Sequence, residues 1–143
     1  MTEERKQSLH SISVVISNLY NTLHSVKKEV AFPLHEIHLQ NIDSIVKTVN
    51  AAYFGLVRYP TNQEKASAYF CYIIKNHPMT DGNKRLATLW LEVFCSINNL
   101  KINPNLRLDE LAITVETEKT IKMDLLIDIV KILLFDQSVN TVN

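Results

Sequence analysis

The sequence predicts an all-α domain, a helical bundle interrupted by one short β-prone flap. Apolar residues recur in steps of three and four through every long segment, the period of a helix with one buried face. No stretch sustains the apolar–polar alternation of a half-buried strand. Punctuation is also scarce, with two glycines and four prolines in 143 residues. That length suits one domain with a core of its own.

The first segment runs from about Glu4 to Glu29, where Leu9, Ile12, Ile16, Leu19, Leu23 and Val26 form a coiled-coil-like stripe. One reading is a helix packed on the rest of the domain. The other is a dimer seam or a linker helix, and the stripe alone does not separate them. Phe32-Pro33 breaks this helix, dividing the chain into an N-terminal helix over 1–30 and a main domain over 31–143. A second helix follows, with Leu39, Ile42, Ile45, Val46 and Val49 on one face, and reaches about Ala52. Tyr53 to Pro60 is short and β-prone with Gly55 as a pivot, so an irregular exposed flap is expected.

Thr61 and Glu64 have the spacing of a capping box and start the next helix, whose face is Ala66, Tyr69, Phe70, Ile73 and Ile74. His77-Pro78 ends it. After a loop closing at Gly82-Asn83, a helix beginning near Lys84 carries Leu86, Leu89, Trp90, Val93, Phe94 and Ile97. This is the most apolar face in the chain and reads as the central buried helix. Asn98-Asn99 and Asn103-Pro104-Asn105 mark a loop before two closing helices. One carries Leu108, Leu111, Ala112 and Val115, the other Met123, Leu126, Ile127, Val130, Leu133 and Leu134.

Composition narrows the function. Fifteen basic side chains balance fifteen acidic ones, so nothing electrostatic points to nucleic acid or an anionic membrane as the main partner. A nucleotide remains open, because a triphosphate needs a few placed charges rather than a basic surface. Cys71 and Cys95 each fall in apolar helical stretches and read as buried free thiols in a reducing compartment. The polar N-terminus MTEERKQS is no signal peptide, and no apolar run has the length of a membrane span, so a cytoplasmic location is expected. His35 and His38 are three apart, as helical metal ligands can be, but no third ligand completes a set; surface or capping roles are expected. Tyr69, Tyr72 and Trp90 read as core.

The segment His77 to Arg85, HPMTDGNKR, breaks several local preferences together. Lys84 and Arg85 fall in the first turn of a helix, where the macrodipole disfavours cations unless an anion shares the site. A helix N-terminus offers unpaired N–H groups to phosphate, and Gly82 lets a ligand approach the backbone. Arg85 can fork onto phosphate oxygens, and Lys84 supplies a mobile charge. Asp81 stands within reach of a Mg²⁺ bridging phosphates, and His77 can accept a proton near neutral pH. The competing reading is a polar interhelical turn in which Asp81 and Asn83 bond locally and the two cations are solvated.

This string resembles the motif of the Fic/Doc (Fido) family, His-Pro-Phe-x-Asp/Glu-Gly-Asn-Gly/Lys-Arg, with Met79 in place of the usual phenylalanine. Tyr-Phe-Gly, Tyr-Pro-Thr, Glu-Lys-Ala and Lys-Asn-His-Pro are similar to the death-on-curing branch, and the likeness covers roughly 36–135. The resemblance implies a transferase that moves AMP or a phosphoryl group from ATP to a Ser, Thr or Tyr hydroxyl of a protein target. It implies His77 as general base, Asp81 as the Mg²⁺ ligand, Gly82 and Asn83 as the anion-binding turn, and Arg85 as stabiliser of phosphate charge. Tyr53, Phe54, Gly55, Leu56, Val57, Arg58 and Tyr59 would be the flap that aligns the target by main-chain pairing. Pro78 and Met79 would anchor the loop in the core. Lys84 departs from the glycine of AMP-transferring members and leans towards the death-on-curing branch, where the γ-phosphoryl group is transferred; Gly82 is kept as in the AMP-transferring members.

The family's self-inhibitory pattern, Ser/Thr-x-x-x-Glu-Gly/Asn, is matched only in part by Ser25 with Glu29 and by Thr114 with Glu118. An antitoxin partner, as for a regulated toxin of a toxin–antitoxin pair, and a homodimer through the N-terminal helix are the remaining partner expectations. The alternatives are a nucleotide-binding or interaction domain without turnover and a metal-dependent hydrolase built on His77 and Asp81. The last lacks a third ligand and would crowd Lys84 and Arg85 against the metal.

Overall fold

A computed structural model describes residues 36–136. The N-terminal helix, its stripe, His35 and the Ser25–Glu29 pair lie outside the described residues. Within them the chain runs α1 (Glu36–Val49), β1 (Ala52–Tyr53), β2 (Leu56–Val57), α2 (Asn62–Asn76), α3 (Asn83–Ile97), α4 (Leu108–Thr117) and α5 (Met123–Phe135). The all-α expectation holds, with one two-stranded hairpin.

The expected centre of the bundle is corrected. It is α2, not α3, that is buried continuously, from Ala66 to Ile74, and that packs against α1, α3, α4 and α5. Periodicity of large side chains hid this. Ala66, Ser67, Ala68 and Cys71 contribute little hydrophobicity, yet being small they let helices approach the sides that Tyr69, Phe70, Ile73 and Ile74 do not cover. α3 is one-sided. Leu86, Trp90 and Phe94 face the core with Ala87, Leu91 and Cys95, while Ile97 at its end is exposed. The Tyr69 ring lies 5.3 Å from Trp90 and 5.5 Å from Phe94, centroid to centroid, joining α2 to α3. Cys71 and Cys95 are buried free thiols, and burial pushes both up to about 12, which keeps them protonated.

α1 also differs in detail. It ends at Val49, where the buried Asn50 amide donates to Val46 O and to the Tyr69 hydroxyl, both at 2.8 Å. Leu39 points outward, and His38, one position earlier, is buried in place of the expected surface role. The flap is more regular than expected. Ala52 pairs with Val57 and Tyr53 with Leu56 across a turn in which Phe54 (φ 53°) and Gly55 (φ 79°) are both left-handed. Two central residues with positive φ match the twist of a tight hairpin, and Gly55 adopts that region without strain.

α2 begins as the capping box predicts, with the Glu64 N–H donating to Thr61 Oγ1 at 3.1 Å. The turn from α4 to α5 is closed by Glu118, whose Oε1 accepts from Thr120 N, Thr120 Oγ1 and Ile121 N at 2.7, 2.6 and 3.1 Å. These donors, the Thr120 hydroxyl first, pull the carboxyl down from 4.5 to about 2. A carboxyl held lower in the folded than the unfolded chain adds stability above pH 4.5, which is lost as pH falls towards about 2. Between those limits the urea midpoint should therefore fall less steeply in Glu118→Gln than in the wild type, and equal slopes would refute the role of this turn. No helix among the described residues is long and apolar enough to cross a membrane.

Candidate active site

The loop between α2 and α3 is built on one buried amide. Asn83 is the first residue of α3 and is largely buried, and its side chain reaches back four residues. Its Oδ1 accepts from Met79 N at 2.9 Å and its Nδ2 donates to Met79 O at 3.0 Å, so both polar backbone groups of a buried residue are paired at once. Met79 itself is 3% exposed and Pro78 is buried, so this pair anchors the loop in the core as expected. The Met79 N–H also fixes which way the amide is turned. Nδ2 therefore faces His77 Nδ1, at 3.4 Å.

His77 stands at the C-terminus of α2 with left-handed backbone (φ 49°, ψ 62°). A non-glycine residue there is uncommon and costs some strain, which the surrounding contacts must hold. The conformation turns the chain back so that the imidazole comes beside the start of α3. The long contact from Asn83 orients the ring and offers its proton to Nδ1. In that arrangement the neutral ring accepts at Nδ1 and carries its own proton on Nε2.

A second element holds the loop from outside. From α1, His38 Nε2 meets Thr80 Oγ1 at 3.2 Å and Asn41 Nδ2 donates to Pro78 O at 3.0 Å. These two residues, three apart on one helix face, were not expected at the site. Neither shows a local signal, since their partners lie 42 and 37 positions along the chain.

The residues expected to bind an anion lie at the start of α3. Gly82 precedes α3 with φ 79°, and the helix has no side-chain cap, glycine having none to give. Asp81 and Arg85 are exposed on either side of it. Lys84, in the first turn, extends to α4 and donates to both carboxylate oxygens of Glu116, at 3.1 and 2.9 Å. That hydrogen bond, with the charges of Lys84 and His77, holds the Glu116 carboxyl below its usual range. Glu116 too escaped the sequence reading, being 32 residues from its partner. Glu118, part of the incomplete inhibitory pattern, uses its carboxylate in the α4–α5 turn instead. No group of three His, Cys, Asp or Glu able to hold a metal exists among the described residues. A magnesium ion needs none: it takes one or two carboxylates and completes its shell with water and substrate phosphates, a role the exposed Asp81 fits.

The flap divides into a tip and a base. Tyr53, Phe54 and Leu56 are 62%, 105% and 75% exposed, whereas Tyr59 is buried. The Tyr59 hydroxyl donates to Asp124 Oδ1 at 3.1 Å and meets the Tyr72 hydroxyl at 3.3 Å; Arg58 Nη2 reaches the same Asp124 oxygen at 2.9 Å. Burial, with Tyr72 and Asp124 beside it, raises the Tyr59 hydroxyl far above its usual range. Arg58 and Tyr59 thus tie the hairpin to α5, leaving its tip outward.

The Fic/DOC family model matches residues 2–95, from upstream of the described helices into the last turn of α3. The chain is also 31% identical over 68 residues to a protein named Toxin Doc from Mycolicibacterium smegmatis. That match covers 48% of this chain and 52% of the relative, so the chain spans about half the length of the curated relative it matches. No solved structure matches the chain.

Proposed function

The chain belongs to the Fic/DOC family, and from that premise we propose that it transfers part of ATP to a hydroxyl of a protein target. The observation that carries this reading is the Asn83 clamp, which holds the His77 imidazole beside the uncapped N-terminus of α3. A base and an anion site on one rigid loop suit in-line attack on a phosphorus atom. The target oxygen forms a bond to phosphorus as its proton passes to His77, and the bond to the leaving phosphate breaks. Arg85 and the first N–H groups of α3 offset the negative charge on the phosphate oxygens. Mg²⁺ held through Asp81 supplies further neutralisation when bound. Flap residues Tyr53 to Val57 present open strand edges on which an extended target segment can pair.

Lys84 bears on which group moves. A lysine where AMP-transferring members have glycine puts side-chain charge at the phosphate end of the site, which supports transfer of the γ-phosphoryl group with ADP as leaving group. ATP labelled at the γ position should therefore mark the target, and ATP labelled at the α position should not. Label from the α position alone would make the chain an AMP transferase; label from neither would sink both. The relative is named a toxin, and for this chain the setting proposed is that of a cytoplasmic toxin with an antitoxin as well as its target as partner.

A further inference from the structure

Glu116 has no place in the reaction as described, yet both its oxygens engage Lys84, a cation in the first turn of the helix whose N-terminus would receive phosphate. We propose that Glu116 is a positioning residue for the nucleotide: it holds Lys84 at the loop until ATP arrives, then yields it to the phosphates. This rests on the reading of the loop as an ATP site.

Three observations support the exchange. Both side chains are part-exposed, 42% for Lys84 and 34% for Glu116, so the pair is screened and weak enough to open. The contact spans from α4 to α3 and restrains a long flexible side chain that the helix dipole would otherwise repel. The carboxylate stays ionised, since the hydrogen bond from Lys84 favours its charged form. A triphosphate carries more charge than one carboxylate and competes for the same ammonium group. Glu116 therefore acts as a resident stand-in for phosphate, and the cost of displacing it is subtracted from ATP affinity.

The test is a double-mutant cycle on ATP affinity, measured by calorimetry on the full chain. Glu116→Gln removes the competitor and should tighten ATP binding. The tightening should exceed that in a Lys84→Met background by roughly two- to fivefold, the range of an exposed ion pair. Simple relief of repulsion between Glu116 and ATP acts alike in both backgrounds, so equal tightening would overturn the exchange, as would no tightening at all. Glu116→Ala should give the same coupling, which guards against a new bond from glutamine. Coupling present with no transfer from either labelled ATP would sink the proposed reaction and leave the exchange standing. ATP bound without coupling would do the reverse, and no ATP binding by the wild type would overturn both.

Discussion

Replacing His77 by alanine is expected to reduce transfer to the target by about 10²- to 10⁴-fold, the contribution of a positioned general base. ATP affinity should stay nearly unchanged, because in the proposed reaction the imidazole serves the attacking hydroxyl rather than the phosphates. The comparison needs two measurements on the same protein: initial rates with labelled ATP at saturating nucleotide, and a binding isotherm for ATP. Alanine leaves the Asn83 Nδ2 with its bond to Met79 O, so the loop keeps its main clamp. The left-handed backbone at position 77 suits alanine no better than histidine, and a modest loss of stability should accompany the change. Transfer that persists undiminished would remove His77 from its assigned role.

The second large effect belongs to Asn83. Asn83→Ala leaves the buried N–H and C=O of Met79 without their partners, at a cost of about 1–3 kcal/mol each where a buried polar group goes unsatisfied. The urea midpoint should fall accordingly. Transfer should fall by about 10²-fold or more, because a displacement near 1 Å at a reacting group has that effect. In a His77→Ala background the transfer loss should shrink sharply, since the residue then has no imidazole left to place. An equal loss in both backgrounds would show that Asn83 serves the nucleotide directly, the role the family resemblance implies for it.

Much of this was legible from the chain. The boundaries of α2 follow from Thr61 and Glu64 at one end and His77-Pro78 at the other, and both signals are local steric or hydrogen-bonding facts. The loop stands out because Lys84 and Arg85 oppose the helix dipole, a conflict that is visible without coordinates. What escaped detection has a common cause. His38, Asn41 and Glu116 act through partners more than 30 residues away, and nothing in their own neighbourhoods marks them. The centrality of α2 is hidden in the sequence for a different reason. A count of large apolar side chains rewards α3, while burial on all sides depends on Ala66, Ser67, Ala68 and Cys71, which such a count ignores.

The position of α2 bears on how the protein can come apart. Its neighbours precede it (α1) and follow it (α3, α4 and α5), so no contiguous half of the described chain can sheathe it alone. Phe70, Ile73 and Ile74 are buried on this helix, which packs against helices from both flanks. The family match ends at Cys95, so α4 and α5, which pack on α2, lie outside it. Loss of α5 would be felt at His77 through α2, although no residue of α5 belongs to the loop. The described helices are therefore expected to come apart together, and the loop keeps its geometry only while the outer helices stay seated on α2.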